Sequence, residues 1–303
     1  RCKFGITIHI NKRHRGDKIM ALDFTETNII DLPDYLQFDT YYEPSRMHDK
    51  KYAINTLTGE VLGIVGNNFN CGSHQDFTNS FAQPLFDKLS DEDVKNAQMK
   101  ISTARNDAFM MLDITFPTTK TTITTDRMSQ DVGLRIIALH GVDGLCSNQV
   151  YFGTIDFFCT NGQIMGEHDK VRKKNTSGFR MHDFLSEIEN MDFDFKRHTA
   201  KLQEWANTSL PRNNVEPVLC SLMKSERMRI RMHDLYKAEA HKRGDNLYAL
   251  YSAFTNYSTY ADERNGFKER NTGKDTKAVT MWKREEEVSK WVSSPQFKAL
   301  TNA

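Results

Sequence analysis

Between Ala97 and Phe158 the chain passes through four apolar or β-branched stretches with no helical period between any two: Gln98–Thr103, Ala108–Phe116, Leu134–His140 and Gln149–Phe158. Parallel neighbours need crossover segments, usually helices, and this block contains none. It reads as an antiparallel sheet, and the missing βαβ alternation argues against a doubly wound nucleotide-binding fold. The Thr-rich segment Thr118–Thr125 favours strand by β-branching, and its polarity places it at an exposed edge or a hairpin tip. A hairpin precedes the block, with Tyr52–Leu57 and Glu60–Val65 joined by a turn at Thr58-Gly59.

Helical spacing surrounds the sheet. Phe81, Leu85, Phe86 and Leu89 recur as a helix over Asn79–Leu89 requires, with Pro84 tolerable only near a first turn. After Thr176 the pattern is helical, beginning with Phe179–Met191, whose stripe is Phe184, Leu185, Ile188 and Met191, and running towards Trp205. Pro211 and Pro217 break the chain. A basic helix from Val218 to Lys242 follows, closed by Gly244, then a Tyr- and Phe-rich one over Leu247–Tyr260, and a last one around Met281–Val292. The expected fold class is α+β: an antiparallel sheet core packed by a long helix, with a helical C-terminal region. Its expected units are an N-terminal arm over 1–50, an α+β core over 51–210 and helices over 211–303.

Charge gives no global direction, because 41 Lys plus Arg stand against 40 Asp plus Glu among 303 residues, so any polyanion must be met by a local patch. Cys2, Cys71, Cys146, Cys159 and Cys220 are odd in number and lack a CxxC pair, which points to a reducing compartment and a cytoplasmic location. No apolar run approaches the roughly 20 residues that span a bilayer, and no signal-peptide pattern opens the chain, so no membrane partner is expected.

The local patch follows a strand. Gly153–Cys159 mixes aromatic and β-branched residues, Asn161-Gly162 is a turn dipeptide, and Lys170, Arg172, Lys173 and Lys174 then crowd five positions. Such cations can follow a phosphate backbone, while Tyr151, Phe157 and Phe158 offer faces on which bases stack. The ordinary alternative is a solvated loop beside core aromatics. A second basic feature, Lys224, Arg227, Arg229, Arg231, Lys237, His241, Lys242 and Arg243, is partly neutralised by Glu226, Asp234 and Glu239 and reads as a surface helix.

Catalytic and metal patterns are weak. The ten histidines form neither HxxxH nor HExxH, and the nearest cluster is His168-Asp169. Cys146 and Cys159 with His140 sit in apolar surroundings where free cysteine is usually core. Gly63-Ile-Val-Gly66 and Gly141-Val-Asp-Gly144 match no phosphate loop, and Asp131, Asp143 and Asp156 lack an anchoring motif for a divalent cation. No enzyme activity, cofactor or metal is expected.

Leu62-Gly-Ile-Val-Gly66, Gly133-Leu-Arg-Ile-Ile137 and Phe157-Phe-Cys-Thr-Asn-Gly162 with its basic loop resemble a phage and plasmid family, domain of unknown function 932. In that family a strand ending in Cys-Thr-Asn or Cys-Gln-Asn precedes a basic turn and a long helix; the resemblance runs from about Lys51 to Trp205. The loop departs from it, with Lys173-Lys174-Asn175-Thr176 in place of a His-Thr pair. The order of hairpin, antiparallel strands and helix is also similar to the core of single-strand-annealing recombinases. That likeness implies a ring- or filament-forming homo-oligomer holding single-stranded DNA, in a bacterial host with phage or host replication proteins nearby. Lys170, Arg172, Lys173, Lys174, Arg135 and Arg180 would meet phosphates, and Tyr151 or Phe179 would stack on bases. The alternative is an oligomeric structural or host-interaction protein, with Tyr236, Tyr248, Tyr251, Phe254, Tyr257 and Tyr260 as interface anchors.

Overall fold

The computed structural model describes residues 18–21, 30–157, 161–164, 170–175, 186, 195–260 and 277–301, and their fold is α+β. The strands are β1 (Lys18–Ala21), β2 (Thr40–Pro44), β3 (Lys50–Asn55), β4 (Val61–Gly66), β5 (Gln98–Ala104), β6 (Phe109–Thr124), β7 (Ser129–Gly141), β8 (Asn148–Asp156), β9 (Asn161–Ile164) and β10 (Lys170–Lys173). The helices are α1 (His74–Phe86), α2 (Asp91–Lys95), α3 (Phe195–Asn207), α4 (Val215–Leu222), α5 (Glu226–Arg243), α6 (Leu247–Tyr260), α7 (Lys277–Ser293) and α8 (Pro295–Lys298). All strand pairs are antiparallel. The large sheet runs β1-β5-β6-β7-β8-β10, with β9 sharing β8, and a small sheet runs β2-β3-β4.

The four expected stretches form the middle of the large sheet. The Thr-rich segment continues β6 into a hairpin with β7, and its threonines stay exposed or half-exposed while Ile123 turns in against the C-terminal helices. Pro117 cannot donate to a ladder, and the register slips at that point from Phe116 opposite Leu134 to Lys120 opposite Gly133.

Helices cover both faces of the sheet. Met110, Leu112, Ile114 and Phe116 of β6, with Leu134, Ile136 and Ala138 of β7, pack under Phe77, Phe81 and Leu85 of α1. The alternate residues Phe109, Met111, Ile137, Leu139 and Tyr151 pack against Ala278 and Trp282 of α7. A strand buried on both faces loses the period of two, hence the run Leu134-Arg-Ile-Ile-Ala-Leu139.

A third cluster holds the C-terminal helices together around α6, which is apolar and buried on nearly every side, as a central helix must be. Polar ties cross between residues 51–210 and 211–303: buried Gln130 donates to Tyr248 Oη, and Arg243 donates to Asp156 at 2.7 Å.

Several boundaries differ from expectation. Residues 30–44 are built into the body: Ile30, Leu32, Leu36 and Phe38 are buried, and β2 completes the small sheet. α1 starts at His74 because Ser73 and Asp76 cap each other, Asp76 N donating to Ser73 Oγ and Ser73 N to Asp76 Oδ2. Pro84 therefore falls in its last turn, two residues before its end, rather than in a first turn. The basic stretch is two helices, α4 and α5, since Ser225 Oγ accepts Met228 N and starts a new one. Gly244, at φ +89°, closes α5 as expected, and Leu247–Tyr260 is a helix. The Phe179–Met191 stripe lies outside the described residues.

Candidate nucleic-acid interface

β10 ends the sheet beyond β8, pairing Lys170 with Tyr151, Arg172 with Gln149 and Lys173 with Asn148. Val171 is buried under the α1 layer, which sends Arg172 to the opposite face. There Arg172 is exposed and donates Nε to Ser147 Oγ at 3.0 Å. Lys173 is half-buried, and Lys174 is exposed. Buried Asn175 anchors the base of this segment, its Nδ2 donating to Gly141 O at 2.9 Å and Cys146 O at 3.3 Å. Among the described residues no carboxylate reaches ion-pair distance of Arg172 or Lys174. Phe158, Phe179, Arg180 and the side chain of Lys170 lie outside the described set.

Two expected contacts must be withdrawn from the interface. Arg135 is 4% exposed and bound on both sides, to Asp113 at 2.7 and 2.8 Å and to Glu285 at 2.9 Å. Burial alone would lower its pKa, but the two carboxylates outweigh burial and hold it above its ordinary value. Tyr151 is also 4% exposed, packs against Trp282 with ring centroids 4.5 Å apart, and donates its hydroxyl to Gln149 Oε1. Its pKa is raised, first by burial and then by Glu286. The α7 layer took both side chains, and nothing in the local sequence marks α7 as their cover.

The interface anchors of the alternative reading are also core residues: Tyr236, Tyr248, Tyr251, Phe254, Tyr257 and Tyr260 are all buried. α5 divides its cations. Arg243 is buried on Glu239 and Asp156, Arg229 lies 3.4 Å from Glu216, and Arg227, Lys237, His241 and Lys242 are exposed. Lys242 approaches Glu239 at 3.9 Å and Lys237 approaches Asp234 at 3.8 Å.

Other candidates resolve into structural pairs. Asp131 takes Lys120 at 2.6 Å, Asp143 takes Arg105 and Asp156 takes Arg243, so the three carboxylates serve three separate cations. Among the described residues no three His, Cys, Asp or Glu side chains gather as a metal site. Cys146 donates its thiol to Ser147 O, and burial pushes its pKa up to about 11.

His140 meets a histidine instead of a cysteine, a pairing that sequence reading missed. His74 Nε2 lies 2.8 Å from Asp107 O, so that nitrogen carries a proton, and His74 Nδ1 then accepts from His140 Nδ1 at 2.7 Å. Burial lowers the pKa of both, that of His74 to about 4. Asp107 ends a run of three left-handed residues, Arg105, Asn106 and Asp107, with φ 58°, 53° and 62°. The two histidines stand 66 positions apart with no shared motif, and Phe77 stacks on His140 with centroids 4.8 Å apart. Enclosed and neutral, the pair joins α1 to β7 and meets no solvent.

The family model for a domain of unknown function (DUF932) matches residues 62–296. The match starts inside β4 and ends in α8, so it takes in the C-terminal helices as well as the strands, well beyond Trp205. No curated protein and no solved structure matches the chain.

Proposed function

The chain belongs to the DUF932 family, domains of unknown function, and from that premise we propose that it binds single-stranded DNA without sequence specificity. It does so as a phage or mobile-element protein that anneals or protects strands in recombination or replication, without a cofactor. The supporting observation is the pair of exposed cations Arg172 and Lys174 at the end of an anchored edge strand, with no acidic partner among the described residues. Arg135 and Arg243, by contrast, are buried in carboxylate pairs and offer nothing to a polyanion. Alternate residues of an extended chain stand about 7 Å apart and can follow the successive phosphates of an equally extended strand.

Fluorescence-anisotropy titration of Arg172→Ala/Lys174→Ala across a salt series tests this reading. Loss of two phosphate contacts lowers the slope of log K against log salt by about 1.4 for single strands. A slope equal to wild type removes β10 from the interface.

A further inference from the structure

We propose that β4 is the pairing edge for a second copy of this chain, so that two small sheets join across a two-fold axis. An edge strand presents unpaired N–H and C=O groups, and proteins protect such edges with charge or proline. Three other outer strands carry those devices, Lys18 in β1, Glu43 and Pro44 in β2, and Lys170, Arg172 and Lys173 in β10, while β9 is only four residues long, itself a way of blunting an edge. β4, Val61-Leu-Gly-Ile-Val-Gly66, has neither charge nor proline, and among the described residues it pairs with β3 alone.

Its surroundings are apolar and open. Val61 is 53% exposed and Ile64 47%, and Ile64 lies opposite Tyr52 on a face shared with Tyr41. The β7–β8 turn closes the other face: a Cβ on Gly63 would stand 2.8 Å from Asp143 O, and Val65 is buried. That turn carries Leu145, exposed more than any other large apolar residue of the described set. The register slip between Ala53 and Ile54 affects the start of β4 and leaves Gly63–Gly66 in regular pairing.

A second copy fits this strand because it is aliphatic symmetrically about Gly63, with Val61 matched by Val65 and Leu62 by Ile64. Antiparallel pairing of two such strands sets apolar against apolar throughout and brings no like charges together. A two-fold contact of this kind closes at two chains.

Sedimentation equilibrium of the full chain without nucleic acid tests the proposal independently of DNA binding. Wild type should rise from 35.0 kDa towards twice that mass with concentration. Ile64→Lys and, separately, Val61→Lys should shift the association by about tenfold or more in concentration, with circular dichroism and Tm close to wild type. A wild type that stays at one chain mass at every concentration overturns the proposal. So does association that both lysine variants leave unchanged.

Discussion

Arg135 and Arg172 project from the same face of one sheet and are used in opposite ways. Arg135 lies between Asp113 and Glu285, so Arg135→Ala would leave buried Glu285 facing half-buried Asp113 with no cation between them. Removing one partner of a buried ion pair costs about 3–5 kcal/mol, and the variant should show that loss in a denaturant midpoint. Its salt slope for DNA should match wild type, which separates it from Arg172→Ala. The His74–His140 pair makes a pH prediction. Both pKa values are depressed in the folded chain, so the unfolded chain takes up protons first as pH falls below about 6.5. The pair's contribution is complete above that value and declines by about 1.4 kcal/mol per pH unit for each histidine still neutral in the folded chain, which for His74 holds down to about pH 4. Urea midpoints at pH 7 and pH 5.5 measure this; equal stabilities would contradict the neutral pair. Neither arrangement is visible in sequence, since Arg135 and Glu285 are 150 positions apart.

At the scale of elements the sequence carried more, and the misses have physical causes. Leu247–Tyr260 was legible because Gly244 stops the helix before it and aromatic residues recur every third position, at 248, 251, 254, 257 and 260, through its own turns. The central strands were legible from β-branching, but β6 runs on through Thr118–Thr124, where a solvent-facing hairpin end has no need of apolar residues. The start of α1 is encoded in Ser73-x-x-Asp76, a capping signal that lies eight residues ahead of the apolar spacing at Phe81. The break between α4 and α5 likewise depends on a cap. Ser225→Ala should cost about 1 kcal/mol in thermal or chemical unfolding, and no change in stability would show that the break is set by packing alone. On β10 the basic cluster was readable, and its exposure was not: alternation put Val171 in the core and turned Arg172 outward.

Over the whole molecule, the large sheet is sealed by α1 on one face and by α7 on the other, and α6 is buried among its neighbouring helices. The α+β class follows from the order of strands and helices along the chain. Which helix covers which face does not, because it is settled by contacts between residues far apart in the chain, such as His74 with His140 and Tyr151 with Trp282. That arrangement moved Tyr151 from the surface to the core and left the outer end of β10 as the candidate contact for a polyanion. The most direct test is anisotropy binding of the wild-type chain to short single-stranded and duplex DNA across a salt series. Binding should be tighter to single strands, with log K falling linearly as log salt rises; no binding at low salt, or a preference for duplex, would contradict a single-strand interface at β10.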